Sequence, residues 1–250
     1  RGVNYVDTAY GYHGGNSETV VGRALRDGYR ARVRIATKLP PWHVSSAADF
    51  DRLLGEQLRR LGTEHIELYL LHSLGKDSWK KLRELDVLSW AERAVADGRI
   101  GCLGFSFHDE LAVFKEIVDG WDKWAFCQIM YNYLYEKNQA GTEGLEYAAR
   151  RGIPVVAMEP LLGGNLVSPP PAIQGLWDAA PRKRSPAAWA LAWLWNRPEV
   201  TVVLSGMSTM EQVVDNLRLA EAAEAGGLTA RELEIVAAAR SYYEMMGWDL

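Results

Sequence analysis

Residues 65–72 read HIELYLLH and give the clearest local indication of the fold class. A short, nearly continuous apolar run is typical of a strand buried on both faces, as in a parallel sheet. The preceding residues 47–61 repeat apolar side chains at a helical period, and residues 79–96 follow the strand as a second predicted helix. A buried strand between two such helices indicates βα units, which build a parallel sheet covered by helices.

The same alternation extends in both directions along the chain. We predict strands at residues 3–9, 33–39, 65–72, 100–107, 126–131, 153–158 and 200–204. We predict helices at residues 17–26, 47–61, 79–96, 110–118, 142–151, 210–222 and 230–245, and one more that opens at Ser185-Pro186 with the serine as its cap. Ser17 is expected to cap the first helix. Residues 162–184, which contain Gly163-Gly164 and three consecutive prolines, are expected to form a loop.

Seven predicted βα units leave two arrangements open, because a doubly wound open sheet and a closed (β/α)8 TIM barrel share this pattern. The chain begins with Arg1 and runs almost at once into a strand, so we expect that a first βα unit is missing. Seven predicted units and one missing unit add up to the eight βα units of a TIM barrel, which favours the barrel over the open sheet. The prediction is a single TIM-barrel domain over residues 1–250 that lacks its first βα unit.

Composition excludes several classes of protein. The 250 residues carry a formal charge of −4, with 48% hydrophobic and 24% charged residues, as in an ordinary soluble globular protein. No basic stripe points to nucleic acid, and no apolar segment is long enough to cross a membrane. Cys102 and Cys127 lie far apart in apolar runs, so we expect buried free thiols in a reducing, cytoplasmic compartment and no metal site.

Acid–base side chains follow three of the predicted strands. Asp7 ends the first strand and Tyr12 lies in the loop beyond it. Lys38 ends the next strand, and His72 ends the third. Active-site residues of parallel barrels project from the carboxyl ends of the strands. Taken alone, each residue is more often structural, but their joint placement on successive strand ends favours a catalytic set.

These residue types suit the reduction of a carbonyl group, which needs a hydride donor and a proton donor. A free tyrosine holds its proton with a pKa of about 10, and a nearby ammonium stabilises the phenolate. Lys38 can supply that charge, and Asp7 can hold Lys38 through an ion pair. His72 can orient the substrate oxygen by a hydrogen bond, which leaves Tyr12 as the proton donor.

The sequence resembles the aldo/keto reductase family along its whole length. Residues 7–12 read DTAYGY and resemble the family's Asp-Thr-Ala-x-x-Tyr signature, while Thr37-Lys38 and residues 68–72, LYLLH, resemble the next two signatures. The match continues in order through Gly104-Phe105-Ser106, Gln128 with Tyr131-Asn132, Glu159-Pro160-Leu161 with Gly163-Gly164, and Gly206 to Asn216. Seven motifs in order are a far stronger signal than any one of them.

The resemblance implies a (β/α)8 barrel, a small-molecule carbonyl substrate and an NADP cofactor, with NAD as the alternative. A Gly-x-Gly-x-x-Gly turn is not required, because the family does not bind the dinucleotide on a Rossmann fold. Ser106 and Gln128 would hold the carboxamide of the nicotinamide. The other cofactor contacts are predicted at Pro160, Leu161, Gly163, Ser205, Gly206, Met207, Ser208, Gln212 and Asn216.

Several positions depart from the family's common pattern. Phe107 stands where many members have asparagine, and Met158 where many have a ring that stacks on the nicotinamide. Gly206 and Gln212 stand where some members have lysine and arginine for the 2′-phosphate. The catalytic set is retained, so these departures bear on cofactor geometry and on the choice between NADP and NAD.

Residues 12–18, 104–109 and 204–213 look closest to a subgroup whose full-length members carry a C-terminal ferredoxin-like iron–sulfur segment. The chain has no Cys-x-x-Cys run, so an iron–sulfur cluster is expected only in a longer protein. Two alternatives to a carbonyl reductase stay open. One is an iron–sulfur-linked electron-transfer subunit on the same barrel, and the other is a non-catalytic nucleotide-binding regulatory module.

Walls of the substrate pocket are expected from residues 39–46, which include Trp42, and from Tyr133 and Tyr135. Aromatic walls suit a sugar, a quinone or another aromatic carbonyl equally well. The sequence predicts neither the substrate nor the oligomeric state.

Overall fold

The computed structural model describes residues 2–248, so Arg1, Asp249 and Leu250, at the ends of the predicted domain, lie outside the described residues. Contacts divide the chain into two compact units, Arg1–Gln128 and Ile129–Leu250. The single domain over residues 1–250 stays a prediction.

The first unit is built on parallel strands that neighbour one another in chain order. They are β1 (Tyr5–Asp7), β2 (Arg34–Leu39), β3 (Ile66–Leu74) and β4 (Ile100–Phe107), and β5 (Cys127–Met130) begins where the unit ends. Every residue of β2 after Arg34 is buried, as expected for a strand covered on both faces.

Helices accompany these strands in the described part of the first unit. Their bounds are α1 (Tyr12–Gly15), α2 (Ser17–Ala24), α3 (Ala48–Leu61), α4 (Lys76–Glu84), α5 (Val87–Ala96) and α6 (Leu111–Asp119), with short 3-10 helices at Arg30–Arg32 and Pro41–His43. α3 buries Phe50, Leu53, Leu54 and Leu61, as its helical period predicts. It ends at Gly62, whose φ of 65° is the left-handed conformation that glycine adopts easily.

Two local predictions for the first unit are wrong. The helix predicted at residues 79–96 is divided into α4 and α5, because Asp86 adopts a left-handed φ of 59°. Buried Leu82 and Val87 are five positions apart, so one continuous helix could not turn both towards the core. Ser17 does not cap α2, whose N-cap residue is Asn16; its hydroxyl instead accepts a hydrogen bond from Thr8 Oγ1 at 2.8 Å.

The second unit contains the end of β5 and the parallel pair β6 (Val155–Met158) and β7 (Val200–Val203). Its described helices are α7 (Gly141–Arg150), α8 (Pro171–Ala179), α9 (Pro186–Trp195), α10 (Met210–Glu221) and α11 (Ala230–Met245), with a 3-10 helix at Leu162–Val167. The predicted cap of α9 is confirmed, since Ser185 Oγ accepts from Ala188 N at 3.2 Å.

The loop predicted at residues 162–184 is wrong in part, because it contains the 3-10 helix and α8. Pro171 lies in the first turn of α8, where the fixed φ of proline suits a helix. Ile173 and Trp177 turn inward, and Trp177 stacks on Trp189 with ring centroids 5.0 Å apart. Tyr133, predicted as a pocket wall, is fully buried beside Trp177, so we assign it to the core of the second unit.

In both units strands alternate with helices, which fits an α/β, TIM-barrel-like fold. A further βα unit before β1 stays a prediction. Within residues 2–248, no helix has the length and apolar character needed to span a membrane, and no group of three or more His, Cys, Asp or Glu side chains could hold a metal ion. Both cysteines are free thiols; Cys127 is buried as predicted, whereas Cys102 is partly exposed.

Candidate active site

The four predicted catalytic residues lie together in the first unit. Lys38 Nζ donates to Asp7 Oδ1 at 2.7 Å and to the carbonyl oxygen of Thr8 at 2.8 Å. The same nitrogen lies 4.8 Å from the centroid of the Tyr12 ring. The rings of Tyr12 and His72 meet edge to face, with centroids 5.8 Å apart. The structure therefore brings together the groups that the sequence placed on three separate strand ends.

Strand pairing explains how these side chains meet. β1 and β2 run parallel with Asp7 opposite Ala36, so Lys38 lies just beyond Asp7 along the neighbouring strand. Tyr12 is the first residue of the short helix α1, which follows the loop after β1. β3 continues past His72, and its register with β4 shifts between Leu71 and Leu74. Such a bulge re-aims the side chains of a strand and is frequent beside active sites.

The ion pair between Lys38 and Asp7 is almost completely buried from solvent. The Lys38 side chain has no exposed surface, and that of Asp7 is 16% exposed. Burial raises the pKa of the Asp7 carboxyl, while the charge and hydrogen bond of Lys38 oppose that rise. A charge held in such a setting acts strongly on its neighbours because little water screens it. The ammonium is thus held beside the Tyr12 ring.

His72 is a neutral group at physiological pH. Burial, assisted by the charges of Lys38 and His108, lowers the pKa of His72 to about 3. A neutral imidazole can donate a hydrogen bond to a carbonyl oxygen, but it does not carry the extra proton that a reduction consumes. Tyr12 remains the predicted proton donor.

An exposed aromatic side chain lies next to these groups. Trp42 is 56% exposed, and its ring centroid is 5.0 Å from that of His72. Trp42 lies in the 3-10 helix Pro41–His43, which Lys81 holds in place. Lys81 Nζ donates to the carbonyl oxygens of Pro41 at 2.6 Å and Val44 at 3.0 Å. An exposed indole on a supported segment can contact a ligand, and the pocket wall at Trp42 stays a prediction.

The predicted carboxamide residues also lie in the first unit, and both are buried. Ser106 is 2% exposed near the end of β4, and Gln128 is 1% exposed in β5. Ser106 Oγ accepts a hydrogen bond from the backbone nitrogen of Ser73 at 2.7 Å, which directs the hydroxyl hydrogen elsewhere as a donor. Ser73 has a left-handed φ of 50°. Sequence reasoning missed Ser73, since no local pattern marks a bulge there.

The predicted adenosine-binding segment lies in the second unit, around the start of α10. Asn216 Nδ2 donates to Ser205 Oγ at 2.9 Å, so two of the predicted residues are joined. Gln212 completes a capping box with Thr209, and its Oε1 accepts from Ser208 N at 2.7 Å. The side-chain carbonyl of Gln212 is therefore already engaged by the backbone.

The other predicted cofactor contacts differ in exposure. Pro160 is buried, Leu161 and Met207 are partly exposed, and Gly163 and Gly206 are exposed. A side chain at Gly206 would meet open space.

Comparison with known proteins identifies the family of the chain. Residues 1–170 match the aldo/keto reductase family. The chain is 30% identical to methylglyoxal reductase from Escherichia coli over 64% of its own length, and it spans 54%, about half, of that relative.

Solved structures extend the likeness over nearly the whole chain. An aldo-keto reductase from Bacillus halodurans, in its holo form, is 28% identical with a TM-score of 0.77, over 95% of this chain and 82% of that one. An aldo-keto reductase from Klebsiella pneumoniae in complex with NADPH is 27% identical with a TM-score of 0.76, over 94% of this chain and 79% of that one. Both of these solved neighbours are aldo-keto reductases. The chain belongs to the aldo/keto reductase family.

Proposed function

We propose that this protein reduces an aldehyde or ketone to an alcohol, with Tyr12 as the proton donor and with Lys38, Asp7 and His72 as its partners. One observation carries the proposal: the buried ammonium of Lys38 is held by Asp7 at 2.7 Å and lies 4.8 Å from the Tyr12 ring. A fixed charge beside a phenol favours release of its proton to a substrate oxygen.

Each residue has a separate task in this reaction. NAD(P)H, when bound, supplies a hydride to the carbonyl carbon. Neutral His72 donates a hydrogen bond that orients the carbonyl oxygen, and Tyr12 transfers its proton to that oxygen. Lys38 stabilises the phenolate left on Tyr12, and Asp7 keeps Lys38 in place. Tyr12 regains its proton from solvent before the next turnover, since its side chain is 37% exposed.

The residues present suit a nicotinamide cofactor. Ser106 Oγ accepts from Ser73 N, so its hydroxyl hydrogen is available to donate to another group, which fits the carbonyl oxygen of a carboxamide. We assign Ser106 and Gln128 to that group. The second-unit residues Pro160, Leu161, Gly163, Ser205, Gly206, Met207, Ser208, Gln212 and Asn216 stay predicted cofactor contacts.

The cofactor is NADP(H), by analogy with the NADPH complex of the protein from Klebsiella pneumoniae. Gly206 and Gln212 add no positive charge for a 2′-phosphate, and Glu211 adds a negative charge in the first turn of α10. We therefore expect weak discrimination between NADPH and NADH.

Turnover and its loss in a tyrosine variant test the proposed function. Oxidation of NADPH or NADH is followed with a panel of small aldehydes, sugars and aryl ketones. Tyr12→Phe is expected to lower kcat by roughly 10²–10⁴ while leaving the dissociation constant of the cofactor unchanged. Tyr29→Phe is the matched control, since Tyr29 is 55% exposed and lies apart from the catalytic set. Normal turnover by Tyr12→Phe would contradict the assignment.

An iron–sulfur-linked role on the same barrel is the second candidate, favoured by the motifs at residues 12–18, 104–109 and 204–213. It predicts iron and visible cluster absorbance in the full-length protein purified without oxygen. A full-length protein that contains no iron would rule it out.

A further inference from the structure

A buried polar cluster lies behind Lys38 and has no part in the proposed reaction. Its members are Glu18, Thr37, Gln57 and Tyr69, and each is 0% exposed. Gln57 is the unexpected one, because it occupies the core-facing side of α3 between Leu54 and Leu61, where the helical period would place an apolar residue. Buried polar groups are stable only when their hydrogen bonds are satisfied, so the contacts of Gln57 show what it does.

The amide of Gln57 has one orientation. Its Nε2 donates to the carbonyl oxygen of Lys38 at 3.0 Å and to Glu18 Oε1 at 2.7 Å. Its Oε1 accepts from the hydroxyl of Tyr69 at 2.6 Å. A flipped amide would set its oxygen against two acceptors, so Glu18 and Tyr69 together direct the nitrogen at the Lys38 backbone.

Glu18 is brought to this position by close packing of two helices. A Cβ atom at Gly22 would lie 2.5 Å from the carbonyl oxygen of Leu61, so α2 approaches α3 at a distance that only glycine permits. The buried carboxylate then accepts from Thr37 Oγ1 at 2.6 Å as well as from Gln57, and Arg60 reaches it at 3.3 Å. A satisfied network in a dry interior is rigid.

We propose that Gln57, oriented by Glu18 and Tyr69, is a positioning residue for Lys38. The lysine is then held at both ends: Asp7 and the Thr8 carbonyl bind its Nζ, while Gln57 binds its backbone carbonyl. By binding the backbone carbonyl of Lys38, Gln57 fixes the position of β2 at that residue. The position of the backbone in turn sets the distance from the Lys38 ammonium to Tyr12. The inference rests on the proposed function of Lys38 and Tyr12.

Gln57→Leu tests the inference, because leucine keeps most of the volume and removes every hydrogen bond of the amide. We expect kcat to fall roughly tenfold to hundredfold, since small displacements of a catalytic group are costly, while the dissociation constant of NADPH stays the same. The matched control is Leu53→Ala on the same buried face of α3, which has no polar link to Lys38. It is expected to lower Tm and to leave kcat at 25 °C unchanged.

Tyr69→Phe is a milder variant in case Gln57→Leu does not fold. It removes only the hydroxyl that orients the amide, and we expect a smaller fall in kcat in the same direction. If either folded variant matches the kcat of the wild type and differs only in Tm, the cluster is merely structural and the inference is wrong.

A second readout separates this inference from the proposed function. The NMR signal of the Lys38 ammonium, in protein labelled with ¹⁵N-lysine, is expected to shift in Gln57→Leu and Tyr69→Phe but not in Leu53→Ala. An unmoved Lys38 signal in both cluster variants would overturn the positioning role. An inactive wild-type protein with a shifted Lys38 signal would instead refute the proposed function and leave the positioning role supported.

Discussion

The catalytic set of the first unit and the predicted nucleotide segment of the second are built in opposite ways. Lys38 is fully buried and bound at Nζ by Asp7 and Thr8, whereas Gly206, Ser208 and Gln212 are exposed. Charges in a dry interior act strongly and depend little on salt, while exposed charges are screened. We therefore expect the buried set to be preorganised by the core, and the exposed segment to tolerate substitutions that change cofactor preference.

The largest expected effect comes from removing the buried charge. Lys38→Met leaves Asp7 without its partner, so we expect kcat to fall by roughly 10²–10³. We expect the free energy of unfolding to fall by about 3 kcal/mol, because an unpaired charge remains buried. Steady-state kinetics and denaturant unfolding measure the two effects.

The double variant Asp7→Asn with Lys38→Met separates stability from catalysis. No buried charge is left unpaired, so stability should recover in large part while turnover stays low. Recovery of turnover in the double variant would show that the ion pair is structural and has no part in catalysis.

A smaller effect is expected from the exposed indole beside His72. Trp42→Ala should raise KM for the carbonyl substrate by roughly tenfold with little change in kcat, since Trp42 contacts ligand but transfers no proton. Trp42→Phe is the matched control and should retain most of the binding. An unchanged KM across aromatic and aliphatic substrates would remove Trp42 from the pocket wall.

A few-fold effect is expected at the surface of the second unit. Gly206→Lys places an ammonium in open space near the start of α10. We expect the dissociation constant of NADPH to fall by about threefold to tenfold at low salt, and that of NADH to stay the same. Gly206→Gln is the neutral control. Equal effects on both cofactors would show that residue 206 does not face the 2′-phosphate.

The smallest expected effect concerns His72, which should not titrate at mildly acidic pH. Because the pKa of His72 is lowered to about 3, its ring signals in NMR should not move between about pH 8 and 5. The unfolded chain binds that proton near its ordinary pKa of about 6.5, so acid favours unfolding as pH falls from there towards 3. His72→Gln should weaken this acid sensitivity. A ring that titrates near its ordinary pKa would show that His72 is solvated.

Much of the fold was predictable because its signals are local. β4 and α11 have the predicted bounds, 100–107 and 230–245, since a continuous apolar run and a helical period are read within a few residues. The prediction was wrong at residues 162–184, where the local signals for loop and helix conflicted. The glycines and prolines at 163–171 indicated a loop and concealed the start of α8.

The candidate site divides in the same manner. The catalytic set was predictable because parallel strands collect their carboxyl ends, so residue types at those ends are read directly from the sequence. The roles of Ser73 and Gln57 could not be predicted from local sequence. Ser73 contacts Ser106, which is 33 positions away, and Gln57 contacts Lys38, which is 19 positions away.

The sequence alone predicted that βα units build this protein, with Asp7, Lys38 and His72 at or near strand ends and Tyr12 just after β1. The tertiary structure was needed to show that His72 is neutral, that the Lys38 side chain is fully buried, and that Gln57 donates to the backbone carbonyl of Lys38. The physical reason is that periodicity is a property of neighbouring residues, whereas burial, pKa and the orientation of an amide are properties of what surrounds a group once the chain has folded.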